Sequence, residues 1–478
     1  MSAASDLTDP TNLAGLRGAL TVLDPQHRLS PIGMSRVVIS SDAHLQVRAA
    51  LDEVLAAGGK NGGAQIVVLC DSTPIQRGGH LLRRIVEEQI AGRYAVRIET
   101  LKDGHERLHA DETVLDRATA AVEGADAVVT IGSGTMADIG KVATDRHGGM
   151  PLVVVQTAAS VDGFTDNVSV VLRHGVKRTI PSRWPNIVLA DTVTIAGAPL
   201  EMNTAGFGEA ISLFTAPADW YLSSLVGLDH TFHPASMAVL GAAAAVPPDW
   251  SVGVAKGEPE AMRELTRLLA LRGIVSGISD TTACLSGVEH VISHMLDLHH
   301  ASSHRPIGLH GAQVGVASLV ASKLWRRAIE TDLIRPERLQ KPDLGVLEAR
   351  VFAAFGHLGE NRTIAAECWR DIQIKHRKIE ENWERLVGVV AAWPQHCAEF
   401  DKLVQPAEVL RSSLKASGAP ATMPALDPSV SPALAAWALA NCHLMRNRFN
   451  LVDLLDLLGV WKLELVAWAL ADVLGDRA

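Results

Sequence analysis

The chain has 478 residues, about three times a common domain of ~150 residues, so two or three compact units are expected. Lys and Arg total 44 against 53 Asp and Glu, and the resulting net charge of −9 argues against a nucleic-acid-binding protein, which would carry a basic face. Hydrophobic residues make up 47% and charged residues 20% of the chain, which excludes a disordered protein and allows a large core.

Cysteine usage and the first residues indicate the compartment. The 5 cysteines include no CxxC pair, so a disulfide framework or a cysteine-type zinc site is not expected. The start of the chain, MSAASDLTDPTN, lacks the basic and apolar regions of a signal peptide. No stretch offers the ~20 apolar residues that a membrane span needs. We therefore expect a soluble cytoplasmic protein that does not bind nucleic acid and does not span a membrane.

The order of local patterns predicts two different domains. Residues 1–35 carry several turn signals and are interpreted as an N-terminal arm. Between residues 36 and 196, short β-branched runs alternate with helical patterns, which indicates a parallel sheet covered on both faces. The predicted strands are 36–40, 65–70, 94–99, 127–131, 152–156 and 187–190.

The rest of the chain, residues 197–478, is rich in Ala and Leu and predicts an all-helical domain. The cleft between two such domains is a usual place for an active site. The predicted helices are 201–226, 259–277, 281–298, 311–330, 345–355, 362–390 and 432–447.

A glycine loop follows the predicted strand 127–131 and leads into a helix from about Ala137. Two glycines let the backbone turn sharply, and the helix N-terminus offers N–H groups to an anion such as a pyrophosphate. The spacing is neither GxGxxG nor a Walker loop, so a simple strand-to-helix turn is the alternative interpretation. Asp71 follows an earlier predicted strand. Its carboxylate accepts a hydrogen bond either from a ribose hydroxyl or from the backbone of a turn. The loop consists of Gly132, Ser133, Gly134, Thr135 and Met136.

Histidines in the helical half predict a metal site. His290 and His294 are four residues apart in a helical pattern, so they share one face. His310 stands where a loop enters a helix, and Glu209 supplies a carboxylate. Two imidazoles and one carboxylate with an open position suit a catalytic zinc or another divalent first-row metal. The alternative is a surface or capping histidine pair, and the neighbouring histidines at 299, 300 and 304 are interpreted as solvated loop residues.

Several segments of the chain carry one joint pattern. They are Thr130–Lys141 (TIGSGTMADIGK), Gln156–Phe164 (QTAASVDGF), Ala190–Asp191 (AD), Ala205–Glu209 (AGFGE), Ala218–Trp220 (ADW), Ser286–His294 (SGVEHVISH), Leu309–Gly315 (LHGAQVG) and Met445–Leu458 (MRNRFNLVDLLDLL). Together they resemble the sn-glycerol-1-phosphate dehydrogenase family, which belongs with the metal-dependent alcohol dehydrogenases and the dehydroquinate synthases. The resemblance runs in the same order from about residue 36 to 460.

The resemblance implies a dinucleotide-binding domain, a helical domain and an active site in the cleft between them. It assigns the pyrophosphate to Gly132–Met136 and the nicotinamide side to the segment from Thr157 to Ser160. It makes Asp162 and His294 the substrate-contacting residues. The metal ligands that it implies are Glu209, His290 and His310.

Three departures from the family pattern bear on the substrate. The metal carboxylate, usually Asp, is Glu209, which is one methylene longer. A Gly-Lys pair is replaced by Ser212-Leu213, which removes a cation, and a small hydroxyl residue is replaced by Asp166, which adds an acid near the presumed cofactor. These changes weaken the case for a doubly charged phosphate substrate. Longer segments at 229–257 and 330–430 also reshape the region.

These observations predict an NAD(P)-linked, metal-dependent dehydrogenase that reduces dihydroxyacetone phosphate or a related polyol or hydroxy-ketone. Zinc is the expected metal, with nickel and iron as alternatives, and a homodimer is implied by the family. Asp71 favours NAD because it would repel a 2′-phosphate. The rival hypotheses are a non-redox lyase or cyclase of the dehydroquinate synthase type, a degenerate member without catalysis, and an NAD-sensing module.

Overall fold

The computed structural model describes residues 6–60, 63–105, 107–173, 176–244 and 250–475. The chain forms two compact units, one made of Met1–Phe207 with His233–Thr281 and the other of Gly208–Phe232 with Thr282–Ala478. The domain limits 1–35, 36–196 and 197–478 remain predictions. Within the described ranges, no helix combines the length and the apolar character that crossing a bilayer requires.

The first unit contains a parallel sheet. The strands of the chain are β1 Arg36–Ser40, β2 Gln65–Asp71, β3 Gln76–Arg77, β4 His80–Leu81, β5 Ala95–Leu101, β6 Ala127–Gly132, β7 Leu152–Gln156, β8 Val168–Arg173, β9 Val176–Pro181 and β10 Ile187–Asp191. Six of them form a sheet in the order β1-β10-β7-β6-β2-β5, and every neighbouring pair is parallel. Every residue of β6, β7 and β10 is buried, as expected when both faces of a parallel sheet are covered. The predicted α/β class is therefore confirmed.

Helices complete the first unit, including one in the predicted arm, where Leu13 and Leu16 are buried. Two antiparallel hairpins, β3–β4 and β8–β9, stand outside the main sheet. Part of the longer segment 229–257, residues 245–249, lies outside the described residues. The helices are α1 Leu13–Leu23, α2 Val47–Ala57, α3 Leu82–Ile90, α4 Glu112–Ala121, α5 Gly134–Asp145, α6 Thr192–Ala196, α7 Leu200–Ile211, α9 Pro234–Ala243, α10 Trp250–Ala255 and α11 Pro259–Ile278, with the end of α7 in the second unit.

The second unit is helical, and no strand follows Asp191 in the described part of the chain. The helix predicted over 201–226 is interrupted by a 3-10 turn at Ser212–Phe214, because Pro217 lacks an N–H group and stands in the first turn of the next helix. The helices are α8 Ala216–Leu225, α12 Val288–Ser302, α13 His310–Glu330, α14 Leu344–Phe355, α15 Thr363–Glu381, α16 Trp383–Ala391, α17 Trp393–Leu403, α18 Ala407–Ser417, α19 Pro432–Asn441, α20 Leu451–Leu457 and α21 Leu463–Leu470.

The sheet order positions the predicted cofactor segments. The strands β2, β6 and β7 are neighbours, and Gly132 pairs with Gln156 across β6 and β7. Because the three strands are parallel, the residues that follow them leave the sheet at one edge. Asp71, the glycine loop and Thr157 therefore start from adjacent positions.

Candidate active site

The glycine loop joins β6 directly to α5. Ser133 is the N-cap residue of α5, and its side chain makes no capping hydrogen bond. The N–H groups of Met136 and Ala137 donate to the Ser133 carbonyl at 3.0 and 3.2 Å. Across the described residues, no acceptor is found for the N–H groups of Gly134 and Thr135. The start of this helix therefore fits an anionic group such as a pyrophosphate.

Both glycines of the loop stand where no side chain fits. A Cβ atom on Gly134 would lie 2.2 Å from Cγ2 of Val161, and one on Gly132 would lie 2.4 Å from Cγ of Met136. The loop therefore packs directly against the segment that follows β7. This packing explains why both positions are glycine, and the role of the loop in cofactor binding remains a prediction.

The other predicted cofactor residues lie at the same sheet edge. Thr157 follows β7, its N–H donates to the Gly132 carbonyl at 3.0 Å, and both Thr157 and Ser160 are buried. Asp71 ends β2, and its Oδ1 accepts from the N–H of Thr73 at 2.9 Å. This contact is the turn-capping role that we considered as the alternative for Asp71. Its second role, toward a ribose, remains a prediction.

Asp166 is buried and forms an ion pair. Its Oδ1 lies 2.6 Å from Nζ of Lys141, which is fully buried and also lies 3.0 Å from Oδ1 of Asp138. Burial raises the pKa of Asp166 to about 7, although the Lys141 charge opposes this rise. The acid that we expected to add a negative charge near the cofactor therefore has a lysine as its partner. A contact between Asp166 and the cofactor remains a prediction.

Asp162 is held by an arginine that the sequence interpretation missed. Nε of Arg272 donates to Oδ2 of Asp162 at 3.0 Å, and the Arg272 side chain is completely buried within α11. A single arginine inside the apolar run LLALRGIVSGI was the available signal, since a buried charge requires a partner. The partner is the predicted substrate-contacting carboxylate.

The predicted metal residues form a cluster in the second unit. One ligand atom from each of Glu209, His290 and His310 lies within 4.8 Å of the other two. Nε2 of His290 lies 3.1 Å from Oε1 of Glu209, and Nε2 of His310 lies 3.9 Å from Oε2 of the same residue. These three residues come from α7, α12 and α13, so the cluster depends on the packing of three helices.

Glycines allow two of these helices to come close. A Cβ atom on Gly208 would lie 2.2 Å from the carbonyl oxygen of Gly311. Each glycine is the direct neighbour of a cluster residue, Glu209 or His310. The small residues therefore bring the carboxylate of α7 to the first imidazole of α13.

The hydrogen bonds around the imidazoles fit a metal site. Nδ1 of His290 lies 2.9 Å from Oε1 of Glu289. Nδ1 of His310 lies 2.9 Å from Oγ of Ser293, whose hydroxyl donates to Oε1 of Gln313 and therefore accepts from the imidazole. With both Nδ1 atoms used as donors, the Nε2 lone pairs face Glu209. This arrangement is typical of metal-ligating histidines, so the residues fit a divalent cation.

The electrostatics of the cluster also favour a cation. Burial lowers the pKa of His290, but the carboxylates of Glu209 and Glu289 outweigh this effect and raise it to about 9. Two carboxylates in a buried site thus attract positive charge, which a proton or a divalent ion supplies. Glu289 was not among the predicted residues, although it stands directly before His290.

His294 and Asp219 complete the surroundings of the cluster. The ring of His294 stacks on that of His310, with centroids 5.4 Å apart and an interplanar angle of 7°. Asp219 accepts from the N–H groups of Val288 at 2.9 Å and Leu451 at 2.8 Å, so it caps the helices α12 and α20. Burial, reinforced by the Glu289 charge, raises the pKa of Asp219 to about 8. Asp219 therefore positions the helix that carries His290.

The position of the missing lysine is apolar. Leu213 is buried, and the Ser212 hydroxyl donates to the carbonyl of Glu209 at 2.9 Å. The 3-10 turn that replaces the Gly-Lys pair thus closes the end of α7 and supplies no cation.

Comparison with known proteins identifies the family. Residues 47–199 match the family described as iron-containing alcohol dehydrogenase. A glycerol-1-phosphate dehydrogenase [NAD(P)+] of Bacillus velezensis is 28% identical over 361 residues, which are 74% of this chain and 87% of that protein. The protein of the same name from Natronomonas pharaonis is 33% identical over 283 residues, which are 57% of this chain and 75% of that protein.

Solved structures agree with the fold. A probable glycerol dehydrogenase from Sinorhizobium meliloti has a TM-score of 0.55 at 17% identity and covers 92% of this chain and 99% of its own. The structure of an iron-containing alcohol dehydrogenase has a TM-score of 0.52 at 14% identity and covers 93% of this chain and 98% of its own. The relatives, together with the glycine loop and the buried carboxylate–histidine cluster, lead to one conclusion: the chain belongs to the glycerol-1-phosphate dehydrogenase family.

Proposed function

We propose that the protein is a metal-dependent NAD(P)-linked dehydrogenase that reduces the ketone of dihydroxyacetone phosphate or of a related polyol or hydroxy-ketone. The observation that carries this proposal is the buried cluster of Glu209, His290 and His310, in which both imidazoles are anchored through Nδ1. Family membership supplies the reaction class, and the cluster supplies the means of polarising a carbonyl.

The residues take the following roles. When bound, the metal supplies a Lewis acid and NAD(P)H supplies the hydride. Glu209, His290 and His310 hold the metal, and zinc suits this ligand set. His294, stacked on His310, exchanges the proton of the substrate oxygen at a ring nitrogen. Asp162 orients a substrate hydroxyl, and Arg272 keeps its carboxylate in one orientation.

Cofactor binding is assigned to the sheet edge of the first unit. The loop Gly132–Met136 holds the pyrophosphate through the N–H groups at the start of α5. Thr157 and Ser160 line the nicotinamide side, and Asp71 accepts from the ribose and favours NAD. In this proposal residues 36–196 bind the cofactor, residues 197–478 bind the metal and substrate, and the enzyme works as a cytoplasmic homodimer.

A redox assay tests the proposal. The purified protein is loaded with zinc, and the oxidation of NADH and NADPH is followed with dihydroxyacetone phosphate and with dihydroxyacetone. We expect net oxidation of NADH that chelation abolishes and zinc restores. Binding of zinc and NADH without net oxidation on any ketone tested would contradict the dehydrogenase assignment.

Glu209 also favours a second candidate. By resemblance, the dehydroquinate synthases use a Glu-His-His metal set, which this chain shares. A non-redox lyase or cyclase of that type would consume its substrate with zinc and NAD bound but without any net change in NADH. Measuring substrate loss and absorbance at the same time separates the two reactions.

A further inference from the structure

A cavity of about 330 Å³ lies in the second unit and shares no lining residue with the metal cluster. It stands beside the C-terminal end of α12 and the N-terminal end of α19. Its polar lining comes from three stretches of the chain, at 299–305, 357 and 429–437. The lining includes His299, Arg305, His357, Ser429, Ser431 and Trp437.

The lining of the cavity contains basic side chains and no acidic one. Arg305, His299 and His357 are basic, and no carboxylate lines the cavity. Within the described ranges the guanidinium of Arg305 makes no ion pair. Nδ1 of His299 is buried, and the described chain offers it no hydrogen-bond partner. Burial, then the charges of Arg305 and His357, lower the pKa of His299. One guanidinium and two imidazoles therefore converge here, and no carboxylate of the lining neutralises the guanidinium.

Hydroxyl groups and a helix end add further donors. Ser431 is the N-cap of α19, a helix of 10 residues, and its side chain accepts from the N–H of Leu434 at 3.2 Å. The N-terminus of a helix favours negative charge. The indole of Trp437 lies between the two imidazoles, with centroids 5.9 Å from His299 and 6.1 Å from His357. The aromatic contacts hold these basic rings in place before a ligand binds.

We propose that this cavity binds a phosphate group, either free or carried by a phosphomonoester. A guanidinium matches two phosphate oxygens at once, and imidazole and hydroxyl groups serve the others. His299 follows His290 by nine residues on α12, which separates them by about 13 Å along the helix axis. The site is therefore a second one, outside the metal cluster, and it does not depend on the proposed reaction.

Binding of inorganic phosphate to the full-length, zinc-loaded protein tests the site, by calorimetry and by ³¹P NMR line broadening. Arg305→Ala should weaken binding about tenfold or more, because charge-assisted hydrogen bonds are lost. His357→Ala should weaken it less. Arg305→Lys, which keeps the charge but loses the planar fork, should fall between Arg305→Ala and the wild type. Arg370→Ala removes an exposed arginine outside the cavity and should bind phosphate as the wild type does.

Two further experiments ask which phosphate compound binds and whether it binds in the cavity or at the metal cluster. Glycerol phosphate and glycerol are compared in the same titration, and the ester alone should compete with inorganic phosphate. Glu209→Ala should keep its phosphate affinity, since the metal cluster is separate. Equal affinity in Arg305→Ala and the wild type, no binding to the wild type, or loss of binding in Glu209→Ala alone would each overturn the proposal.

Discussion

Oε1 of Glu289 lies 2.9 Å from Nδ1 of His290 and also accepts from the N–H of Gly287 at 2.7 Å. Its other oxygen accepts from the Thr215 hydroxyl at 3.0 Å, so the carboxylate is fixed at both ends. A fixed acceptor at Nδ1 selects the tautomer of His290 whose Nε2 is free to bind a metal. Glu289 is therefore a positioning residue for this ligand.

Glu289→Gln tests this role because the amide keeps the shape of the side chain and loses the charge. We expect the affinity for zinc to fall by about 10- to 100-fold, as is usual when the partner of a metal-bound histidine is changed. Competition with a fluorescent chelator measures this affinity. Glu384→Gln, an exposed substitution in the same unit, serves as the control. Unchanged zinc affinity in Glu289→Gln would contradict the positioning role.

The buried Lys141 predicts a large effect on stability. Lys141→Met leaves the carboxylates of Asp138 and Asp166 buried without their cation. We expect the free energy of unfolding to fall by about 3–5 kcal/mol. Urea denaturation measures the change, and Lys415→Met removes an exposed lysine as the matched control. A loss no larger than that of the control would show that the network does not support the fold.

The glycine loop predicts that one substitution weakens cofactor binding and that a second substitution partly restores it. A methyl group at Gly134 would lie 2.2 Å from Cγ2 of Val161, so Gly134→Ala displaces the loop. We expect NADH to bind about tenfold more weakly, a change of ~1.4 kcal/mol. Gly134→Ala combined with Val161→Ala should recover part of the affinity. Gly18→Ala, where the added methyl group meets no atom within 4 Å, should not alter it.

A buried histidine predicts how stability depends on pH. His300 is completely buried, and neither ring nitrogen finds a hydrogen-bond partner in the described structure. Burial, followed by the charges of His299 and Arg305, lowers its pKa below 6.5, while Asp297 opposes the shift. The unfolded chain therefore binds the proton at a higher pH than the native protein.

Stability should consequently fall as the pH drops below 6.5, because the unfolded state takes up more protons. His300→Leu should lose less of its free energy of unfolding between about pH 8 and about pH 5.5 than the wild type does. These two pH values lie on either side of the ordinary pKa of histidine. The exposed substitution His230→Leu should keep the wild-type dependence. Equal losses in His300→Leu and the wild type would contradict the assignment.

The parts of the molecule that follow local patterns were predicted from the sequence. β-Branched runs between helical patterns predicted the parallel sheet, because strands buried on both faces are apolar throughout. The motifs of the family resemblance predicted that Glu209, His290 and His310 form one cluster, and the three residues do lie together.

Other features depend on tertiary packing and escaped the prediction. The pairs Arg272–Asp162 and Lys141–Asp166 join residues that are far apart in sequence, so no local period marks them. The histidines at 299 and 300 were interpreted as solvated loop residues, and this was wrong. The helix α12 continues to Ser302, which buries His300 completely and His299 in part.

The metal content of the purified protein is the central test of the cluster formed by Glu209, His290 and His310. Elemental analysis of the wild type, His290→Ala, His310→Ala and the exposed-site control His230→Ala is combined with the NADH assay on each. We expect about one zinc per chain in the wild type and the control, and joint loss of metal and activity in the two ligand variants. Full metal content in either ligand variant would contradict the ligand assignment.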